Sequence, residues 1–238
     1  MGVPCWLRQR MAIALPGIDA TPPRGRSKAF AILVGVAATI STNGAARGGR
    51  GARERILRAA EELFYARGIH ATGVAALIEA AHVSPRTFYV HFPTKNALVE
   101  EYLRRFESEK SIPAEAELER EDLPPAQRLL AIFDPVEGDA SALIRGCPFH
   151  NAVIEGAGEL PEVARLAQRH KQAFRDRLVA TAAEAGAADP DALGRQLAVL
   201  FEGANALAAS CNDAQAFTDA RQAARTLLDI ALAAPPGG

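Results

Sequence analysis

"VSPRTFYVHFPTK", Val83 to Lys95, is the stretch whose reading decides the fold. Ser84 is a side chain that caps helix N-termini, and Pro85 follows it at the first helical position, where a missing N–H costs nothing. Pro93 ends the helix again. About two turns of helix fit between them. On that short rod Phe88 and Phe92, four residues apart, share one face with Val83, Leu77 and Val74 of the preceding stretch. Pro85, Arg86, Thr87, Tyr89 and His91 fall on the other side. A buried helix would carry aliphatics and a solvated one Glu and Lys. This one is held by aromatics from behind and offers hydrogen-bonding groups in front.

Working outward, "RERILRAAEELFYARG", Arg53 to Gly68, places Ile56, Ala60, Leu63 and Phe64 on one stripe, with Gly68 as its C-terminal cap. "HATGVAALIEAAHVS", His70 to Ser84, puts Thr72 as N-cap before a helix of about two turns bearing Val74, Leu77 and Ile78. Thr94 caps a fourth helix, about 94–110, with Leu98, Tyr102 and Phe106 at steps of four. Two short helices joined by a tight turn form a helix-turn-helix, whose second helix enters the major groove of DNA.

On this reading Arg86 forks onto guanine and Thr87 meets a thymine methyl or a base edge. Tyr89 and His91 suit phosphate oxygens, while Thr72, Ser84 and Lys95 sit at helix N-termini, which favour anions. Two readings of Ser84 stay open, capping or DNA contact. His91 is either a phosphate donor or a partly buried histidine against the start of helix four. The arginine-rich run "RGGRGARER", Arg47 to Arg55, is either a groove-following arm or a solvated segment.

Arg53 to Leu98 resembles the DNA-binding domain of the TetR family of transcriptional regulators. The residues that carry the likeness are Gly68, Thr72, Val74, Val83, Ser84, Thr87, Phe88, Tyr89, His91, Phe92, Thr94 and Lys95. His82 stands where the family usually has a turn glycine, which implies left-handed backbone or a local hydrogen bond. The resemblance implies a rear helical domain that dimerises and often encloses a small-molecule pocket, an effector of unknown identity, and release of DNA through helix four.

Composition agrees. Alanine is abundant and aromatics make up only 6% of the 238 residues, so an all-α fold is expected. Residues 1–48 carry six basic and one acidic side chain, residues 49–106 nine and six, and residues 107–238 twelve and twenty-one. A basic front on an acidic body suits a polyanion-binding head. The division expected is therefore a disordered extension over 1–48, the helix-turn-helix domain over 49–98 with helix four as connector, and a helical ligand-binding and dimerisation domain over 111–238.

The stretch "IPAEAELEREDLPP", from Ile112, reads as an acidic connector. Helices are expected after it at about 125–133, 147–157, 161–185, 190–211 and 214–233. In "RGCPFHNAVIEG", Arg145 to Gly156, the side chains of Cys147, Phe149, His150 and Asn151 are mixed in chemistry and suit a ligand cavity. A redox role for Cys147 needs a lowered thiol pKa, which sequence does not show. Two C-terminal apolar stripes, holding Leu193, Leu197, Leu200, Phe201 and Leu207, then Phe217, Leu227 and Leu228, suit a four-helix dimer interface or, for any one residue, intrachain core.

Neither a cofactor nor a metal is expected, since Cys147 and His150 supply only two ligands, and the sequence lacks GxGxxG, GxSxG, HExxH and a phosphate-binding lysine loop. Three widely spaced cysteines without a CxxC pair suit a reduced, cytoplasmic setting. The apolar "AFAILVGVAATI", Ala29 to Ile40, is too short to span a bilayer, so no membrane partner is expected. It does resemble a leader's apolar region, which keeps open a secreted or envelope helical protein with residues 1–48 as leader.

Overall fold

The computed structural model describes residues 51–109, 112–134, 145–156 and 160–233. The extension over 1–48, its apolar stretch and Arg47 to Arg50 of the arginine-rich run lie outside them, while Ala52 to Arg55 of that run form the first turn of α1. Among the described residues there are ten helices and no strand: α1 Ala52–Arg67, α2 Val74–Ala80, α3 Pro85–His91, α4 Lys95–Glu109, α5 Pro113–Leu118, α6 Pro125–Ala131, α7 Pro148–Gly156, α8 Pro161–Glu184, α9 Pro190–Cys211 and α10 Gln215–Leu232. The all-α expectation holds, and the rear helices start and stop within about two residues of their expected limits. The connector reading fails at α5. Pro113 opens a short helix there, with Leu118 turned into the core against α6. Among the described residues no helix is long and apolar enough to cross a membrane.

Helices α1 to α4 close around one aromatic core. Ile56, Ala60 and Phe64 of α1 meet Leu77, Phe88, Phe92 and Tyr102, all buried, and the Phe64 and Tyr102 rings pack edge to face at 5.5 Å. Val74 and Val83 pack against it partly buried, so the inward face expected of α3 is the inward face observed. The buried stripe of α1 is wider than the sequence implied and includes Glu61, which Arg105 of α4 reaches at 3.2 Å while also bonding Glu54 at 2.7 Å. This core extends beyond α4 to Phe149 and Ala152 of α7 and to Val163, Leu166 and Ala167 in the first half of α8.

A second core gathers α5, α6, the rear of α8, α9 and α10 around Leu129, Phe133, Phe174, Leu178, Leu197, Phe201 and Leu228. Helices α8 and α9 pack closely because position 194 has no side chain. A Cβ there would lie 2.5 Å from Val179 Cγ2 and 2.8 Å from its backbone nitrogen.

Four expected dimer residues, Leu193, Leu197, Phe201 and Leu228, belong to this intrachain core. Leu200, Phe217 and Leu227 pack against it partly buried, whereas Leu207 is 60% exposed. The stripe marks the inward face because an isolated helix pair must bury its wider apolar side within its own chain first.

Because backbone on α8 cannot retreat as a side-chain tip could, Gly194→Ala should destabilise the fold by roughly 1–3 kcal/mol. Urea unfolding of the two proteins, compared at equal slope, measures it.

Candidate functional site

Helix α3 is set by its ends. Ser84 Oγ accepts the backbone N–H of Thr87 at 3.1 Å and lies 2.9 Å from Thr87 Oγ1, so its capping role is real. His82 reaches the turn with φ 50°, the left-handed geometry its place in the sequence implied, and its N–H donates to the Glu79 carbonyl at 3.1 Å. With Phe88 fully buried, Pro85, Arg86, Tyr89 and Val90 form one exposed face; Thr87 and His91 flank it half-buried. The Tyr89 ring leans edge-on against Phe88 at 5.4 Å and stays 51% exposed. Val90, 72% exposed, went unnoticed in the sequence because an aliphatic there reads as core.

Thr72 is a correction. It is 1% exposed, its hydroxyl donates to the Gly68 carbonyl at 2.7 Å, and its backbone N–H donates to Ile69 O. Gly73 takes the N-cap position of α2, and Thr72 instead ties the α1–α2 loop shut. Neither of its donors is left for a phosphate.

Lys95, half-buried at the start of α4, donates to the His70 carbonyl at 3.5 Å. Burial holds its pKa below the ordinary lysine value, with Glu155 pulling the other way. Glu155 of α7 accepts the His70 backbone N–H at 2.7 Å, and a Cβ at position 68 would stand 2.9 Å from its carboxylate. Gly68, at φ 92°, is thus needed both for its backbone and for the room it leaves. At the other end of the segment Arg145 Nε donates to the Tyr65 carbonyl at 2.8 Å. Arg145 to Gly156 therefore grips the C-terminal end of α1 and the loop leading to the helix-turn-helix.

That segment also borders a cavity. Its lining includes Ile112, Glu115, Cys147, Lys171, Phe201 and Asn205. The space measures about 320 Å³ counting its open mouth, but the enclosed part holds about one water molecule. Of the four expected pocket residues only Cys147 lines it. Phe149 is core, its ring stacked on His170 at 4.0 Å; His150 is exposed; Asn151 is committed to the Arg145 carbonyl at 2.6 Å. The other cavity walls come from the start of α5 and from α8 and α9. A sequence signal existed in Asn205, a polar residue set within the apolar stripe of α9, four places after Phe201.

His170 Nε2 lies 3.1 Å from Glu115 Oε1, the geometry of an ion pair. Burial, then the cations Lys171 and Arg177, push its pKa down to about 4, so near neutrality the contact is a neutral N–H donating to the carboxylate. Glu115 also pairs with Arg177, yet burial outweighs that cation and holds its carboxyl above the ordinary value.

Comparison with known proteins places this geometry. The model of bacterial regulatory proteins of the tetR family matches residues 56–102. A structure described as a TetR transcriptional regulator from Streptomyces avermitilis is 34% identical, covering 76% of this chain and 97% of that one with a TM-score of 0.64. The chain belongs to the TetR family of transcriptional regulators. A TetR-family regulator from Streptomyces coelicolor is 28% identical over 77% of this chain and 97% of that chain, with a TM-score of 0.62. The HTH-type transcriptional regulator UidR of Escherichia coli is 42% identical over 48 residues, which is 24% of its own length. The chain is thus a DNA-binding transcriptional regulator, of a family that regulates transcription rather than catalysing reactions.

The buried imidazole has a measurable consequence. Unfolded histidine titrates near 6.5 and the folded one near 4, so acid in that window charges only the unfolded state and stability falls. Glu115, its pKa raised in the folded state, works in the opposite sense. His170→Gln removes the histidine contribution alone, and its stability loss between pH 7 and pH 5 should be smaller than wild type's by about 1–2 kcal/mol. Urea titrations at the two pH values measure the difference.

Proposed function

We propose that this regulator is a ligand-responsive repressor that binds a near-palindromic operator as a homodimer. The observation that carries the reading is the exposed face of α3, where Arg86, Tyr89 and Val90 stand free while Phe88 fastens the helix from behind. Arg86 reads guanine, Thr87 and the methyls of Val90 meet thymine methyl groups or base edges, and Tyr89, His91 and Lys95 hold phosphates. Ser84 and Pro85 start the helix against the backbone, its capping bond being compatible with phosphate contact at the same N-terminus.

Pairing of two chains is supported by apolar side chains that α9 and α10 leave outside their own core. Val199 and Leu207 stand exposed at steps of four around Gly203, and Ile230 is exposed on α10. Among the described residues, and apart from its own stretch of helix, nothing lies within 4 Å of where a Gly203 Cβ would be. A glycine there costs about 1 kcal/mol of helix propensity without intrachain benefit, which suits close approach by a second helix. Two copies joined there place their α3 helices on half-sites ~34–36 Å apart or a multiple of that.

For ligand response the cavity supplies the receptor and the Arg145–Gly156 segment the route. A ligand that prefers the cavity in a shifted conformation moves Cys147, and with it the Arg145 and Glu155 bonds that hold the loop before α2. A regulator that loses DNA on binding its ligand switches genes on only if its bound form holds them off, hence repression.

Duplexes selected by the purified protein from a random pool test the whole reading. Arg86→Ala should relax preference at one base pair per half-site by ~1–3 kcal/mol; equal weakening on every sequence would remove Arg86 from base reading. Leu207→Asp should yield monomers in sedimentation and abolish tight binding to the two-half-site duplex. A variant still dimeric would move the interface elsewhere.

A further inference from the structure

Two features of the cavity bear on what it holds. Lys171 Nζ donates to Cys147 Sγ at 3.3 Å and is itself bonded to Glu202 Oε1, which fixes where the ammonium points. Burial pulls the Lys171 pKa down, but Cys147 and Glu202 outweigh it and hold the amine above its ordinary value, so it stays charged. An ammonium in contact with sulfur stabilises the negative charge a reacting thiol develops.

Independently, Asn205 is 4% exposed and, among the described residues, its Oδ1 accepts no hydrogen bond. Its amide orientation is set, because Nδ2 donates to the Phe201 carbonyl at 3.0 Å. A buried amide oxygen left open is costly unless something in the cavity donates to it. The occupant implied therefore carries an O–H or N–H, has only a few atoms, and lies beside a sulfur backed by a cation.

We infer that the occupant is a small hydroperoxide and that Cys147 is the thiol it oxidises. This deepens the ligand-responsive reading above and rests on it. The peroxide O–H donates to Asn205 Oδ1. The Cys147 thiol gives its proton to water, its thiolate attacks the hydroxyl oxygen, an S–O bond forms and the O–O bond breaks. Sulfur loses two electrons and becomes sulfenic acid, and the leaving hydroxide or alkoxide is reduced and takes a proton from the Lys171 ammonium, which recovers it from water. Overall, thiol and ROOH give sulfenic acid and ROH. The added oxygen must then be housed in a space of about one water, two residues from Arg145 and its bond to the Tyr65 carbonyl. The strain falls on the segment that grips the helix-turn-helix.

The test uses the full chain, reduced, with hydrogen peroxide as the probe and a dimedone-type trap for sulfenic acid, read by mass spectrometry on the Cys147 peptide. Wild type should trap at Cys147 at least ~10-fold faster than Lys171→Gln, and Lys171→Arg, which keeps a cation, should retain most of the rate. Equal rates in wild type and Lys171→Gln, or a Cys147 no faster than free cysteine, would overturn the inference and leave a bound water as the plain occupant of the cavity. Affinity for the selected duplex before and after peroxide is the second readout. A large loss in wild type that is absent in Cys147→Ser supports the inference. Fast trapping at Cys147 with unchanged DNA affinity would keep the reactive thiol and sink the proposed coupling between cavity and DNA.

Discussion

Burial of Phe88 is the constraint on which the rest of the molecule depends. A seven-residue helix has no stability of its own, and α3 exists because its one fully buried side chain is captured between α1 and α2. Removing a phenylalanine of this kind costs about 3–5 kcal/mol, more than such a helix recovers from capping. With the ring fixed, the helix cannot rotate, and the outward direction of Arg86, Tyr89 and Val90 follows from geometry alone. The bond from Thr87 N–H to Ser84 and the left-handed turn at His82 refine the placement without determining it.

Helix α8 then ties this head to the rest of the chain. Its first half, with Val163, Leu166 and Ala167, belongs to the core of the helix-turn-helix, and its second half, with Phe174, Leu178 and Ala182, belongs to the core of α9 and α10. His170 and Lys171 occupy the crossing point, and the cavity opens there. Where two apolar cores abut, neither fills the seam, and polar side chains that would be costly inside either core find partners across it. Glu115 with Arg177 and His170, and Lys171 with Glu202 and Cys147, are such partners. The sequence division between residues 98 and 111 follows the connector, whereas the apolar packing carries α7 and half of α8 along with the front helices.

The misreadings share a physical origin. Apolar stripes on α9 and α10 identify a buried face but not which chain buries it, so Leu193, Leu197, Phe201 and Leu228 looked equally suited to a dimer and to a core. Thr72 sits where an N-cap belongs, yet a buried hydroxyl must be bonded, and the Gly68 carbonyl was nearer than any phosphate. The short α5 was hidden by its charge, since Pro113 and the glutamates that follow read as a solvated linker unless Leu118 is known to have a core to enter.

Local signals determined nine of the ten described helices and the exposed face of α3. Caps, prolines and spacings of four act over a few residues, and a pattern such as Ser84-Pro85 with Phe88 and Phe92 has one low-energy solution wherever it occurs. Only the tertiary structure decided the cavity and its link to the DNA-reading head. Cys147 just before α7, Lys171 on α8 and Asn205 on α9 are far apart in sequence, as are Glu155 and the loop at His70. Their meeting is set by how closely α8 and α9 approach at Gly194 and how α7 lies on α1, distances that depend on side-chain volumes summed over whole cores.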